Sequence, residues 1–266
     1  MQPFSLLLSS LMMVLVSCSS PSEKISYRDF GNFYDRFEVE GTFVLFDLKK
    51  EAFIIHNAKD AAKPVTPAST FKIVNSLIGL ETGVVSDASF TIRWDSVVRD
   101  LPTWNQDQNL ASAFRYSAVW YYQELARRIG EKQLDSWLQK LDYGNADISS
   151  GVDRFWLSGS LQVTPLQQVD FLTRLYTNKL PVSNRSGEIV KEIMVEKDTL
   201  GYVLRSKTGW GNQEGKEVGW YVGYYETAGN VYFFANCIFT EDKENQTFLS
   251  ARKEIVYLIM DELELL

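Results

Sequence analysis

The chain has 266 residues, of which 45% are apolar and 14% aromatic, and a formal net charge of −7. That suffices for one large domain or two small ones around a sizeable core. The acidic balance, with no basic run longer than a residue pair, excludes the electrostatic footprint of a nucleic-acid binder.

The first seventeen residues, "MQPFSLLLSSLMMVLVS", carry no charge and form an apolar stretch too short for a comfortable membrane span. They read as a secretory signal. Its end, "LVSC", resembles the bacterial lipobox, which makes Cys18 the expected lipid-bearing first residue of the mature chain. The leader departs from the usual pattern in having no Lys or Arg near its start, and plain cleavage is the alternative. Residues 18–38 are polar and read as a tether, followed by a single domain over 39–266. The expected product is an exported, periplasmic lipoprotein, meeting the membrane only through lipid on Cys18.

Two β-rich runs, "GTFVLFDL" and "EAFIIHN", flank Lys49–Lys50 and predict a hairpin. Residues 70 to 180 are largely helical in pattern, with "SAVWYYQELARRIG" and "EKQLDSWLQKL" as the clearest helices. Near the other end, "EVGWYVGYYE" and "VYFFANCIF" flank "TAGN" as a second hairpin, and an amphipathic helix is expected from about Phe248 to Leu265. Strands at both ends with helices between predict an α+β fold. An antiparallel sheet of N- and C-terminal strands is flanked by the first and last helices and carries an inserted all-helical lobe. The cleft between sheet and lobe is the default site.

His56 is the only histidine, and Cys237 the only cysteine besides Cys18, so the usual ligands cannot build a zinc cluster. Cys237 reads as a small buried strand residue and His56 as a surface residue ending a strand, which leaves lysine as the better base for an activated serine. Ser69-Thr-Phe-Lys72 puts a hydroxyl and an amine one helical turn apart. The alternative is a hydroxyl N-cap before a solvated lysine. Ser-x-x-Lys alone is weak, because Ser250-Ala-Arg-Lys253 repeats it. The first copy, however, precedes "FKIVNSLIGLETG", a helix ending at a glycine of the C-cap type. Downstream come Ser117-Ala-Val119, Tyr143-Gly-Asn145, Trp156-Leu-Ser-Gly159, Lys207-Thr-Gly209 and "GWYVGY" in order.

Taken together these motifs resemble those of the class D, oxacillinase-type serine β-lactamases, within the penicillin-recognising serine enzymes. The resemblance runs from about residue 25 to the last helix, and Ser117-Ala-Val119 departs from the Ser-Asp-Asn of class A. It implies hydrolysis of penicillin-type β-lactam rings through a Ser69 acyl-enzyme, with N-carboxylated Lys72 as general base in both half-reactions. Trp156 is then the donor to the carbamate, Ser117 the proton relay to the leaving nitrogen, and the backbone N–H groups of Ser69 and Trp210 the oxyanion site. Val119 and Leu157 line the pocket, and Lys207, Thr208 and Gly209 meet the substrate. Arg252 aligns with the arginine that the family uses for the substrate carboxylate. Carbon dioxide is needed to carboxylate Lys72, and no other cofactor or metal is implied. Tyr143-Gly-Asn145 is expected to be a structural element of the cleft wall. Substrate preference would follow from loops near 102–110 and 210–217. Three alternatives share parts of this pattern: a β-lactam sensor with a long-lived adduct, a D,D-peptidase, and a non-catalytic envelope lipoprotein.

Overall fold

The computed structural model describes residues 24–265, so the leader 1–17 and Cys18 lie outside the described residues. In chain order the strands are β1 Lys24–Tyr27, β2 Glu40–Asp47, β3 Ala52–His56, β4 Thr91–Ile92, β5 Gln108–Asn109, β6 Val195–Asp198, β7 Tyr202–Gln213, β8 Lys216–Thr227 and β9 Val231–Thr240. Seven of them form one sheet in the order β1-β3-β2-β9-β8-β7-β6, while β4 and β5 form a separate small ladder. The N- and C-terminal halves of the chain meet where β2 pairs antiparallel with β9, Val44 opposite Ala235.

The near-continuous apolar runs of β8 and β9 follow from burial on both faces. Along β9, Phe233, Ala235 and Cys237 enter one core cluster, whereas Phe234 and Ile238 enter the other. The second cluster is closed by α1 Gly31–Asp35 and α10 Phe248–Glu262. The first is continuous with the helical lobe between β3 and β6, made of α2 Ala58–Ala61, α3 Lys72–Glu81, α4 Leu110–Arg115, α5 Val119–Ile129, α6 Glu131–Leu141, α7 Phe155–Ser158, α8 Pro165–Tyr176 and α9 Asn184–Ile193. Helix α8 lies directly on the sheet, against β2, β8 and β9. Its start is fixed by Pro165 at the first turn and a reciprocal cap between Thr164 and Gln167. No described helix is long and apolar enough to cross a membrane.

Four expectations need correction. The stretch 24–38 of the expected tether belongs to the fold: β1 pairs with β3, and Phe30 and Tyr34 are buried against α10. Burying Phe30 alone contributes about 1.5–3 kcal/mol. The same pairing is parallel, so the sheet is mixed rather than antiparallel throughout. The segment reads as polar because β1 is an exposed edge strand. His56 is not a surface residue. Its ring stacks on Tyr34 at 4.8 Å between centroids and its Nδ1 accepts the Phe30 N–H at 3.1 Å, which fastens the N-terminal segment. Finally, 210–217 is a β-hairpin rather than a loop. Trp210 to Gln213 pair with Gly219 to Lys216 around a two-residue turn, Glu214-Gly215, with both φ angles positive.

Candidate active site

Ser69 sits in a 3-10 turn, Ala68–Phe71, that runs straight into α3. Its side chain caps nothing; Lys72 Nζ donates to Ser69 Oγ at 2.7 Å instead. The N-cap alternative therefore fails. Lys72 is fully buried, with its amine 5.3 Å from the centre of the Tyr122 ring. Burial pushes its pKa well below the ordinary lysine range, and the charge of Lys207 adds to this. The second Ser-x-x-Lys copy is spent on structure: Ser250 Oγ donates to the Thr247 carbonyl and Lys253 pairs with Glu196. Past α3, Gly83 with φ +72° ends the helix as its sequence suggests.

Strand β7 brings Lys207-Thr-Gly209 beside the serine turn. A Cβ on Gly209 would lie 3.1 Å from the Pro67 carbonyl oxygen, a tight fit that glycine avoids. Lys207 is 5% exposed and donates to the Thr208 carbonyl at 3.0 Å. Burial, then the charges of Arg252 and Lys253, bring its pKa down to about 7, opposed by Glu196. Arg252 reaches over from α10 and donates from Nη1 to the Gly209 carbonyl at 2.9 Å, which joins it to the motif. Gly219 makes room for it, since a Cβ there would lie 2.9 Å from Arg252 Cγ. Trp210 follows on β7, 56% exposed, with its indole N–H donating to Glu217.

Ser117 occupies the turn between α4 and α5 with φ +56°, a left-handed conformation that a non-glycine residue holds only at a cost of about 1–3 kcal/mol. Phe114, three residues before it, lies under the Lys207 amine at 5.6 Å, and Tyr122, five after it, lies against Lys72. The Ser117 turn thus connects the helices that touch the two lysines. Val119 begins α5, half-buried. Trp156 is fully buried, stacked on Phe71 at 5.4 Å, and its indole N–H has no partner among the described residues. The Leu157 carbonyl lies 3.7 Å from where a Cβ on Gly211 would be, which puts α7 alongside β7.

Tyr143-Gly-Asn145 braces this arrangement. Gly144 has φ +60° and passes so near the Gln162 carbonyl that a Cβ would lie 2.2 Å from its oxygen, and Asn145 Nδ2 donates to the Ser160 carbonyl at 2.8 Å. Tyr143 donates to Gln168 Oε1, Gln168 Nε2 donates to Thr70 Oγ1 at 2.8 Å, and Thr70 donates to the Pro67 carbonyl. Gln168 and Thr66 have no signal in the sequence, because each acts through bonds to residues distant in the chain. Thr66 receives the Trp220 indole N–H at its carbonyl and donates its hydroxyl to the Trp156 carbonyl. Tyr122 belongs to no motif and stands out only as part of the helical run "SAVWYYQELARRIG".

A buried serine–lysine pair, backed by a glycine-bearing strand and by a second serine on a strained turn, defines the penicillin-recognising class of serine acyl-transfer sites. Residues 41–261 match the family described as the penicillin binding protein transpeptidase domain. β-Lactamase OXA-48 of Klebsiella pneumoniae is 46% identical over 196 residues, 74% of each chain. A class D β-lactamase structure from Sebaldella termitidis superposes with a TM-score of 0.88 at 37% identity, covering 92% of this chain and all of that one. The C-terminal domain of the Bacillus licheniformis BlaR penicillin-receptor superposes with a TM-score of 0.87 at 36% identity, covering 93% and 100%. The chain belongs to the class D β-lactamase family.

Proposed function

We propose that this chain opens the β-lactam ring of penicillin-type substrates through a Ser69 acyl-enzyme, with the Lys72 side chain as base for acylation and deacylation. The observation that carries this reading is the 2.7 Å hydrogen bond between a fully buried Lys72 amine and the Ser69 hydroxyl. Burial favours the neutral amine, so a proton acceptor stands one hydrogen bond from the nucleophile.

A neutral amine in an apolar pocket also adds carbon dioxide, releasing a proton and leaving a carbamate. On Lys72 that group would supply an anionic base. Trp156 and Ser69 are the donors suited to hold it, and the fit is supported by the Trp156 indole N–H, which is buried without a partner among the described residues. Leaving such a donor unpaired costs about 1–3 kcal/mol, which an acceptor beside it recovers.

As Ser69 Oγ attacks, its proton passes to the Lys72 side chain and the carbonyl oxygen gains charge. The backbone N–H groups of Ser69 and Trp210 receive that oxyanion. Ser117 relays that proton from the Lys72 side chain to the departing ring nitrogen, which frees the base for the second half-reaction, while Lys207, Thr208 and Arg252 hold the substrate carboxylate. Val119 and Leu157 keep water away from the lysine. Water then replaces the enzyme as acyl acceptor, deprotonated by the same lysine side chain.

The test is loss of β-lactam absorbance in degassed and in bicarbonate-supplemented buffer. Turnover that falls on degassing and returns with bicarbonate is expected; turnover indifferent to bicarbonate contradicts the carboxylated lysine. Likeness to the BlaR receptor domain favours a second reading, in which the adduct persists and the domain senses β-lactams. The lifetime of the adduct separates the two. The proposal extends to export, with lipid on Cys18 tethering the enzyme at the periplasmic face of a membrane. Metabolic lipid labelling lost in Cys18→Ala checks this.

A further inference from the structure

The carboxylate-holding end of the site gathers more positive charge than negative. Lys207 feels Arg252 and Lys253 from α10, and its own charge reaches Lys72 on α3. Arg115 of α4 and Glu192 of α9 stand on the wall of the same cavity, about 570 Å³, which Lys207, Thr208 and Phe114 also line. A lysine can attract a carboxylate only while it keeps its proton, and this crowd works against that. The anion that opposes it is Glu196.

Although β6 is a short exposed strand, the Glu196 side chain turns inward and is only 29% exposed. Its carboxylate accepts from the hydroxyls of Ser206, next to Lys207 on β7, and of Tyr221 on β8. Its other oxygen accepts from Lys253, next to Arg252 on α10. One carboxylate thus ties the strand that carries Lys207 to the helix that carries Arg252, without bonding either.

We propose that Glu196 is a positioning residue for substrate-carboxylate recognition, fixing β7 to α10 and setting one carboxylate among the cations Lys207, Arg252 and Lys253. The inference rests on the reading of Lys207 and Arg252 as the carboxylate site. Lys253 then acts in the opposite sense, because it neutralises Glu196 and repels the Lys207 proton.

The test compares kcat/KM for benzylpenicillin and for its methyl ester across pH 6 to 10, in wild type, Glu196→Gln and Lys253→Met. Taking the acid-to-ester ratio cancels the contribution of Lys72. In wild type the ratio should favour the acid and fall as pH rises through the Lys207 titration. Glu196→Gln should lower the ratio roughly threefold to tenfold near pH 7.5 and move its fall to lower pH, with ester hydrolysis little changed. Lys253→Met should move the fall to higher pH. Shifts in the same direction for both variants, or equal losses on acid and ester, overturn the role of Glu196 and leave the carboxylate site standing. A wild-type ratio near one at every pH removes that site and the inference with it. If Glu196→Gln fails to fold, Glu196→Asp takes its place, keeping the charge but shortening the reach to Ser206, Tyr221 and Lys253: an acid-to-ester ratio lowered with ester hydrolysis little changed supports the proposal, and an unchanged ratio overturns it.

Discussion

At the residue scale the chemistry turns on the environment of three side chains. Ser69 is 9% exposed, so a substrate reaches its hydroxyl while the amine behind it stays dry. Ser69→Ala should lose covalent labelling by penicillin entirely, as read by intact mass; labelling that survives would place the nucleophile elsewhere. Trp156 is the sharper case, because on composition alone it reads as a core aromatic and only its unpaired indole N–H sets it apart. Trp156→Phe removes the donor and keeps the stacking on Phe71. The variant should fold, acylate, and deacylate at least tenfold more slowly unless bicarbonate is raised, a loss of about 1.4 kcal/mol or more in transition-state stabilisation. Normal deacylation without added bicarbonate would remove Trp156 from the role.

At the scale of elements, the site depends on how closely β7, β8 and α10 approach. Gly219 on β8 is where α10 comes close, an added Cβ lying 2.8 Å from Ile238 Cγ1 and 2.9 Å from Arg252 Cγ. Gly219→Ala should cost about 1–3 kcal/mol and push the flexible Arg252 off the Gly209 carbonyl. The measurable pair is a lowered melting temperature with a raised KM at near-normal deacylation; an unchanged KM would detach Arg252 from substrate binding. Much at this scale was legible in advance. The β2–β3 and β8–β9 hairpins announce themselves by apolar runs around polar turns, and α6 spans the run "EKQLDSWLQKL". What escaped has a physical cause in each case. Strand β1 is exposed and pairs in parallel with β3, and that partner is fixed by distant contacts rather than local pattern. The Glu214-Gly215 turn was hidden because glutamate is an unusual occupant of a position with positive φ. Glu196 matches no motif, and its inward turn follows from three elements meeting around it.

For the whole molecule, the site is a cost to stability. Lys72 and Lys207 are buried with depressed pKa values, so between about pH 7, where Lys207 titrates in the folded state, and about pH 10, where a free lysine does, the unfolded chain binds more protons. Stability should therefore rise with pH across that window. It should fall again at higher pH, because buried phenols such as Tyr34 and Tyr122 have raised pKa values and resist the ionisation that the unfolded state allows. Lys207→Met should flatten part of the rise and stabilise the fold by about 1–3 kcal/mol at pH 7 while impairing binding, a trade expected of groups kept for function. A melting temperature that declines steadily from pH 7 to 9 would contradict the burial of both amines. The β2–β9 pairing closes the chain on itself, and α8 packs the lobe on β2, β8 and β9.

The most direct measurement is the intact mass of the domain from residue 19, followed over time after mixing with a penicillin in bicarbonate buffer. An adduct one drug mass heavier, carried on Ser69 and disappearing as ring-opened product accumulates, is the predicted result. An adduct that persists without product would make the domain a receptor-like binder, and no adduct at all would contradict the acyl-enzyme itself.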